Sequence, residues 1–125
     1  MYREHVPLAA TLEIKVGNLR QGAAWYEQFI GRPADLTPVP DIHEWELFQG
    51  FWIQVTEAPV AENAGRLRLN VADVAGARSA IIKDLGADVS EVFTLPEVVA
   101  FCDFDDPWGN PLGLFQDLST HPLSS

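Results

Sequence analysis

The chain has 125 residues, enough for one domain with a buried core, and its 47% hydrophobic and 21% charged residues are typical of a folded protein. Its formal net charge of −10 repels phosphate backbones and anionic lipid, so we expect neither nucleic-acid nor membrane binding. The sequence contains no apolar stretch of signal-peptide or membrane-span length, which predicts a cytoplasmic protein.

The first predicted element is a strand over Thr11–Val16, where apolar and polar residues alternate. Asn18 then caps a helix that runs to about Ile30, and Gly31 gives the helix a left-handed end. Three extended segments follow, with Gln49-Gly50 as a tight turn between the last two. These predicted strands are Asp35–Pro38, His43–Gln49 and Phe51–Glu57.

After a predicted linker at residues 59–64, the pattern repeats at an offset of 55 residues: Leu12 coincides with Leu67, Asn18 with Asp73, and Gly31 with Gly86. The second half therefore repeats the order of strand, capped helix and three strands. Its later strands are predicted at Asp88–Thr94, Val98–Phe104 and Pro111–Gln116. The only cysteine, Cys102, lies in an apolar run, so we expect a buried thiol, and an intramolecular disulfide is excluded.

The sequence before the last strand, Asp106-Pro107-Trp108-Gly109-Asn110, resembles the D-P-x-G-N turn of the vicinal oxygen chelate (glyoxalase/bleomycin-resistance) superfamily. We expect a positive φ at Gly109 and a role for Asn110 in satisfying backbone groups of the turn. Residues 24–31 resemble the A-x-x-F-Y-x-x-x-L-G helix of the same superfamily. Together with the repeat, the resemblance covers roughly residues 10–118.

The resemblance implies an α+β fold in which two tandem βαβββ units form a glyoxalase-like concave mixed sheet. Repeat one is placed at about residues 10–58 and repeat two at about 65–118, within a single domain of residues 1–125. Helices cover one face of each sheet, so the other faces are expected to enclose a small organic ligand. The family often forms dimers, which implies a homodimer here.

The resemblance also implies where a metal would bind, because metal-dependent members take their ligands from the first and last strands of each half. Those positions fall on Thr11, Gln54, Arg66 and Gly113. None is His, Asp or Glu, and an arginine repels a cation. We therefore expect neither a metal nor any other cofactor.

Polar side chains of the predicted concave face are the candidate ligand-binding residues. Glu13 and Arg68 occupy equivalent positions in the two repeats, so we expect them to approach each other, either as a ligand anchor or as a structural ion pair. Trp52 shares a strand face with Gln54 and either stacks on a ligand or serves in core packing or a dimer contact. The full candidate set is Thr11, Glu13, Trp52, Gln54, Arg66 and Arg68.

His43, Glu44 and Glu46 are a further cluster of polar groups on one predicted strand. Glu44 and Glu46 point to one face and His43 to the other, so the three cannot chelate a metal together. Either glutamate serves as an acid-base group or, as we favour, both lie on a solvated edge.

Two function classes remain. The favoured one is a metal-free small-molecule-binding protein of the glyoxalase/bleomycin-resistance type that sequesters a drug or metabolite. The acidic charge suits a cationic ligand, whereas Arg66 and Arg68 favour an anionic group on it. The alternative is a lyase or isomerase acting on a small carbonyl compound, with Glu13, Glu44 or Glu46 as base and Arg68 stabilising an enolate.

Overall fold

The computed structural model describes residues 8–59 and 65–119 of the chain. The chain divides into two compact units, Met1–Ala61 (unit 1) and Glu62–Ser125 (unit 2). In the described residues each unit holds one four-stranded sheet and one helix, so the predicted α+β fold of two βαβββ units is confirmed. Most of the predicted linker, residues 60–64, lies outside the described residues, and the single-domain organisation stays a prediction.

Unit 1 forms a mixed sheet in the order β1-β4-β3-β2. Strand β1 runs parallel to β4, and the other neighbours are antiparallel. Helix α1 lies between β1 and β2 in the chain and packs on β4. The elements are β1 (Ala10–Val16), α1 (Leu19–Ile30), β2 (Leu36–Val39), β3 (Ile42–Phe48) and β4 (Phe51–Glu57).

Unit 2 repeats this arrangement with the sheet order β5-β8-β7-β6. Strand β5 is parallel to β8, and helix α2 packs on β7 and β8. In each unit the two parallel strands are the first and the last, so the chain passes through a helix and two further strands between them. A parallel pair requires such a long connection, because a tight turn cannot join its strands. The elements are β5 (Leu67–Asn70), α2 (Val74–Leu85), β6 (Phe93–Leu95), β7 (Val99–Asp105) and β8 (Pro111–Asp117).

Both helices begin and end as predicted. The side chain of Asn18 accepts a hydrogen bond from the Gln21 amide at 2.9 Å, and Asp73 accepts one from the Gly76 amide at 3.1 Å. Gly31 and Gly86 end the helices with φ of 91° and 64°, the left-handed region that glycine enters without a steric penalty. Each signal acts within one helical turn, which explains why the sequence reveals it.

The core of each unit lies between its helix and the facing side of its sheet. Cys102 belongs to this core with no exposed surface, and burial raises the pKa of its thiol. The opposite face of each sheet is therefore where polar side chains are available. The buried apolar residues are Ile14, Val16, Tyr26, Trp45, Ile53 and Val55 in unit 1, and Val74, Ile81, Val89, Ala100, Cys102, Phe104, Leu112 and Leu114 in unit 2.

Strand β6 differs from its prediction, because it covers Phe93–Leu95 and not Asp88–Thr94. The guanidinium of Arg78 donates to the carbonyls of Val89 at 3.2 Å and Ser90 at 2.7 Å. These carbonyls are thereby bound to a side chain of α2, and the segment before β6 packs against that helix instead of extending the strand.

The turn before β8 has the predicted positive φ at Gly109, 88°, but its polar centre is Asp106 and not Asn110. Asp106 Oδ1 accepts from the Trp108 amide at 2.9 Å and the Asn110 amide at 2.8 Å. The Asn110 side chain donates to Asp106 Oδ2 at 2.7 Å, and both residues are buried. The carboxylate of Asp106 thus accepts hydrogen bonds from two backbone amides of the turn and from the Asn110 side chain.

Helices α1 and α2 have 12 residues each, and neither is long and apolar enough to cross a membrane. This finding holds for the described ranges, 8–59 and 65–119.

Candidate functional site

In unit 1 the sheet face opposite the helix carries four of the six candidate residues, because residues paired in register project to the same side. Glu13 pairs with Gln54, which pairs with Glu44, so these three form one row across the sheet. In the neighbouring row Thr11 pairs with Trp52, which pairs with Glu46. We call this surface the unit 1 polar face, comprising Thr11, Glu13, Glu44, Glu46, Trp52 and Gln54.

Hydrogen bonds occupy part of the unit 1 polar face. Gln54 Nε2 donates to Glu44 Oε2 at 2.9 Å, and Glu46 Oε2 accepts from the Gly50 amide at 3.1 Å. Glu13 is exposed, with Lys15 Nζ 4.0 Å from its carboxylate, and Trp52 is half-buried. The face therefore offers an aromatic plane beside several carboxylate oxygens.

His43 lies on the other side of the same sheet, as predicted. Its imidazole is near the buried Trp45 ring, with ring centroids 6.4 Å apart. Both residues line a depression of about 380 Å³ beside α1. A second depression, of about 550 Å³, is lined by Glu13, Thr56 and neighbouring residues, so of the six candidates only Glu13 borders either cavity.

In unit 2 the corresponding row contains a guanidinium–carboxylate pair. Arg68 pairs in register with Gly113, which pairs with Asp103. Arg68 Nε donates to Asp103 Oδ1 and Nη2 donates to Oδ2, both at 2.8 Å. These hydrogen bonds hold the pKa of Asp103 below its usual range and raise the pKa of Arg68. Sequence analysis missed Asp103, which only the register of the strands places opposite Arg68.

Gly113 leaves the space that this ion pair occupies. A Cβ atom at this position would lie 2.6 Å from Asp103 Oδ1 and 2.9 Å from the Cys102 carbonyl oxygen. The Asp103 side chain can shift, but the Cys102 carbonyl is part of the backbone of the neighbouring strand β7 and cannot. Glycine is therefore required by the close approach of Asp103 and the backbone of β7.

Arg66 is bound within unit 2 as well. Its Nη1 donates to the carbonyls of Phe104 at 3.0 Å and Leu112 at 2.6 Å. The carboxylates of Asp103 and Asp105 lie 3.8 Å and 3.7 Å from its guanidinium. Both predicted arginines are thus charge-compensated, which removes the reason we gave for an anionic group on the ligand.

The four positions that the family resemblance assigns to metal ligands do not fit a divalent cation. Gln54 donates its amide to Glu44, and Arg66 brings a positive charge that is bound to carbonyl oxygens. The space over Gly113 is filled by the Arg68–Asp103 pair, and Thr11 offers one hydroxyl. Within residues 8–59 and 65–119, no three His, Cys, Asp or Glu side chains are grouped closely enough to hold a metal ion.

Comparisons with known proteins give structural matches alone, because no family model and no curated protein matches the chain. A glyoxalase/bleomycin resistance protein from Catenulispora acidiphila is 21% identical with a TM-score of 0.71, over 87% of this chain and 97% of that one. A glyoxalase/bleomycin resistance protein/dioxygenase from Nocardioides is 13% identical with a TM-score of 0.70, over 97% and 90%. A lactoylglutathione lyase from Agrobacterium tumefaciens is 13% identical with a TM-score of 0.66, over 85% and 90%. At these identities the matches establish the fold.

Proposed function

We propose that this chain, which has the fold of the vicinal oxygen chelate superfamily, is a metal-free binding protein for a small organic molecule. The observation that carries the proposal is the unit 1 polar face, where Trp52 lies beside the row of Glu13, Gln54 and Glu44. The position that a metal ligand takes in this row holds an amide bonded to a carboxylate. An aromatic plane bordered by carboxylates is suited to an organic molecule and not to an ion.

A planar organic cation is the ligand class that fits this face best. The indole of Trp52 attracts a cation through its ring quadrupole, worth about 0.5–2 kcal/mol depending on desolvation. Glu13 and Glu44 supply carboxylates in the row next to that of Trp52, and Thr11 and Gln54 add neutral hydrogen-bonding groups. The net charge of −10 also raises the local concentration of cations around the protein.

A matched pair of probes tests the proposal. The full chain is titrated by NMR with N-methylquinolinium and with quinoline, which has nearly the same shape but is uncharged at pH 7. We expect the cation to bind more tightly, and Trp52→Leu to weaken its binding by about fivefold. Trp25→Leu is the control, because Trp25 lies on α1 and packs against Tyr26 and Phe29. Equal binding of the two probes, or no binding, would refute the proposal.

The alternative, a lyase or isomerase acting on a small carbonyl compound, depends on a carboxylate base. Glu44 and Glu46 are already hydrogen-bonded to Gln54 and to the Gly50 amide, so Glu13 is the exposed carboxylate of this face. The chain is incubated in D₂O with methylglyoxal and glutathione, and proton exchange is followed by NMR. Exchange that Glu13→Gln abolishes, in a folded variant, would replace the binding proposal with the enzymatic one.

We also propose a homodimeric, single-domain protein located in the cytoplasm. Exposed apolar side chains on the outer strands and their turns support association: Leu36 is 51% exposed, and Val98 is 55% exposed. Sedimentation equilibrium measures the state directly, and a single species of monomer mass would refute the dimer. Cell fractionation tests the location.

A further inference from the structure

We infer that unit 2 carries a binding surface of its own, for a planar aromatic molecule with an uncharged oxygen acceptor, such as an aromatic ketone. The surface consists of Phe93, Phe101 and Phe115, which we call the phenylalanine row, together with Arg68. The inference rests on the proposed small-molecule-binding function and names a second ligand class for it.

The phenylalanine row crosses three strands. Phe93 pairs in register with Phe101, and Phe101 pairs with Phe115, so the three side chains project from the same face of the sheet. The rings of Phe93 and Phe101 have centroids 5.4 Å apart and an interplanar angle of 53°. Phe93 is 55% exposed, and the other two are half-buried. The row therefore offers tilted aromatic faces and edges for contact with the ring of a ligand.

Arg68 provides a fixed hydrogen-bond donor next to this row. Its guanidinium lies over the Phe101 ring, with the guanidinium carbon 5.0 Å from the ring centroid. Nε and Nη2 are used by Asp103, whereas Nη1 makes no hydrogen bond to any residue that the structure describes. Because two hydrogen bonds to Asp103 hold the guanidinium, its Nη1, which is unused within the described residues, binds an oxygen acceptor of a ligand without first being ordered.

Asp103 and Gly113 are positioning residues in this arrangement. Asp103 holds the guanidinium by two hydrogen bonds, and Gly113 leaves the room for the pair to lie across the sheet. The carboxylate also neutralises the arginine, so a carboxylate ligand gains little from it. This charge balance selects an uncharged acceptor over an anionic one.

Three probes of similar size separate the two parts of the recognition. Acetophenone has both the ring and the carbonyl, cyclohexyl methyl ketone lacks the aromatic ring, and ethylbenzene lacks the carbonyl. NMR titration of the full chain is expected to give acetophenone an affinity about fivefold higher than either of the others. The largest amide shifts are expected in β7 and β8.

Variants locate the surface. Phe101→Leu keeps an apolar side chain and is expected to lower acetophenone affinity about fivefold while leaving cyclohexyl methyl ketone unchanged. Asp103→Asn releases Arg68 and is expected to remove the preference for acetophenone over ethylbenzene. Phe48→Leu is the matched control, because Phe48 is 62% exposed and stacked on Phe51 outside the row. If Asp103→Asn does not fold, Phe101→Leu decides alone.

The outcomes separate this inference from the proposed function. Acetophenone binding that Phe101→Leu leaves unchanged, or an equal affinity for all three probes, overturns the inference. Trp52-dependent binding of N-methylquinolinium would then still support the proposed function. If acetophenone binds through Phe101 and N-methylquinolinium does not bind at all, the unit 2 surface stands and the unit 1 ligand class is wrong.

Discussion

The central rows of the two sheets occupy equivalent backbone positions, but their side chains differ in charge and in hydrogen bonding. Each row takes one residue from the first strand of its unit, one from the last and one from the third. In unit 1 the row is Glu13, Gln54 and Glu44, and in unit 2 it is Arg68, Gly113 and Asp103. The repeat therefore preserves the register of the strands but not the side chains on the face that lies opposite the helix.

The difference has a physical consequence for what each row can bind. The unit 2 row has no net charge, because its arginine and its aspartate form an ion pair with two hydrogen bonds of 2.8 Å. The unit 1 row carries two carboxylates and one amide, with Glu13 exposed. The proposed site for a cation therefore lies in unit 1, and the proposed surface for an uncharged aromatic ligand lies in unit 2.

The largest expected effect comes from the middle of the rows. Gly113→Ala places a Cβ atom 2.9 Å from the Cys102 carbonyl oxygen, which belongs to a core strand and cannot move freely. We expect a loss of about 2–3 kcal/mol in the free energy of unfolding, as overpacked sites show. Gln54→Ala at the equivalent position removes one half-exposed hydrogen bond, for which about 1 kcal/mol is expected.

Urea unfolding followed by circular dichroism measures both variants, with the slope of the transition compared to that of the unsubstituted chain. An unchanged slope attributes the shift of the midpoint to stability. Similar losses for the two variants would show that the rows do not differ in packing.

The contrast between the rows also shows which features a sequence reveals. The caps at Asn18 and Asp73 and the glycines at helix ends act over three or four residues, so the repeat and its helices were predicted. Asp103 is 35 residues from Arg68 in the chain and meets it only through the register of β5, β8 and β7. The predicted extent of β6 was wrong for the same reason, since Arg78 of α2 binds the carbonyls of Val89 and Ser90 before the strand.

For Trp52 and Gln54 the sequence predicted the face of the sheet but not the neighbouring side chains. Alternation along β4 predicted that Trp52 and Gln54 share a face opposite Ile53 and Val55, and the burial of the latter two confirms it. The hydrogen bond from Gln54 to Glu44 was not predicted, because it depends on the pairing of β3 with β4. A period of two reveals the face of a side chain, but its neighbours depend on the register.

Replacing the acidic residue that the third strand contributes to each row gives the next largest effect. Asp103→Asn loses a charge-assisted pair of hydrogen bonds and leaves Arg68 without its partner, so we expect about 1–2 kcal/mol of destabilisation. Glu44→Gln still accepts a hydrogen bond from Gln54 on a half-exposed face, and a change within about 0.5 kcal/mol is expected. Thermal unfolding of both variants beside the unsubstituted chain measures the difference. A larger loss of stability for Glu44→Gln than for Asp103→Asn would contradict the conclusion that the stronger pair is the one in unit 2.

The dependence of stability on pH tests the same pair with a smaller signal. Hydrogen bonds from Arg68 lower the pKa of Asp103 in the folded state, while the unfolded carboxyl titrates near about 3.9. The folded state thus favours the ionised form, and this stabilisation is present above the unfolded pKa and lost as the pH falls through the folded one. The stability difference between the unsubstituted chain and Asp103→Asn should therefore shrink below about pH 4.

Asp35 is the matched acidic residue in unit 1, because its hydrogen bond with Arg32 lowers its pKa in the same direction. Asp35→Asn is expected to show the same convergence with the unsubstituted chain at acid pH. Urea midpoints measured between pH 7 and pH 3 follow both variants. If the stability difference between Asp103→Asn and the unsubstituted chain stays constant from pH 7 to pH 3, the effect of the substitution is not electrostatic.

The smallest expected effect is that of divalent metal, for which we expect no stabilisation of either row. A ligand that binds only the folded state raises its stability by about 2.7 kcal/mol when it is added at 100 times its Kd. A metal ion bound at such a concentration would therefore be visible as a rise in Tm. Ni²⁺, Zn²⁺ and Mn²⁺ meet an amide bonded to a carboxylate in unit 1 and a compensated guanidinium in unit 2. A stoichiometric rise in Tm that Gln54→Ala or Asp103→Asn abolishes would mean that a row rearranges around the ion, and the distinction between the rows would then fail.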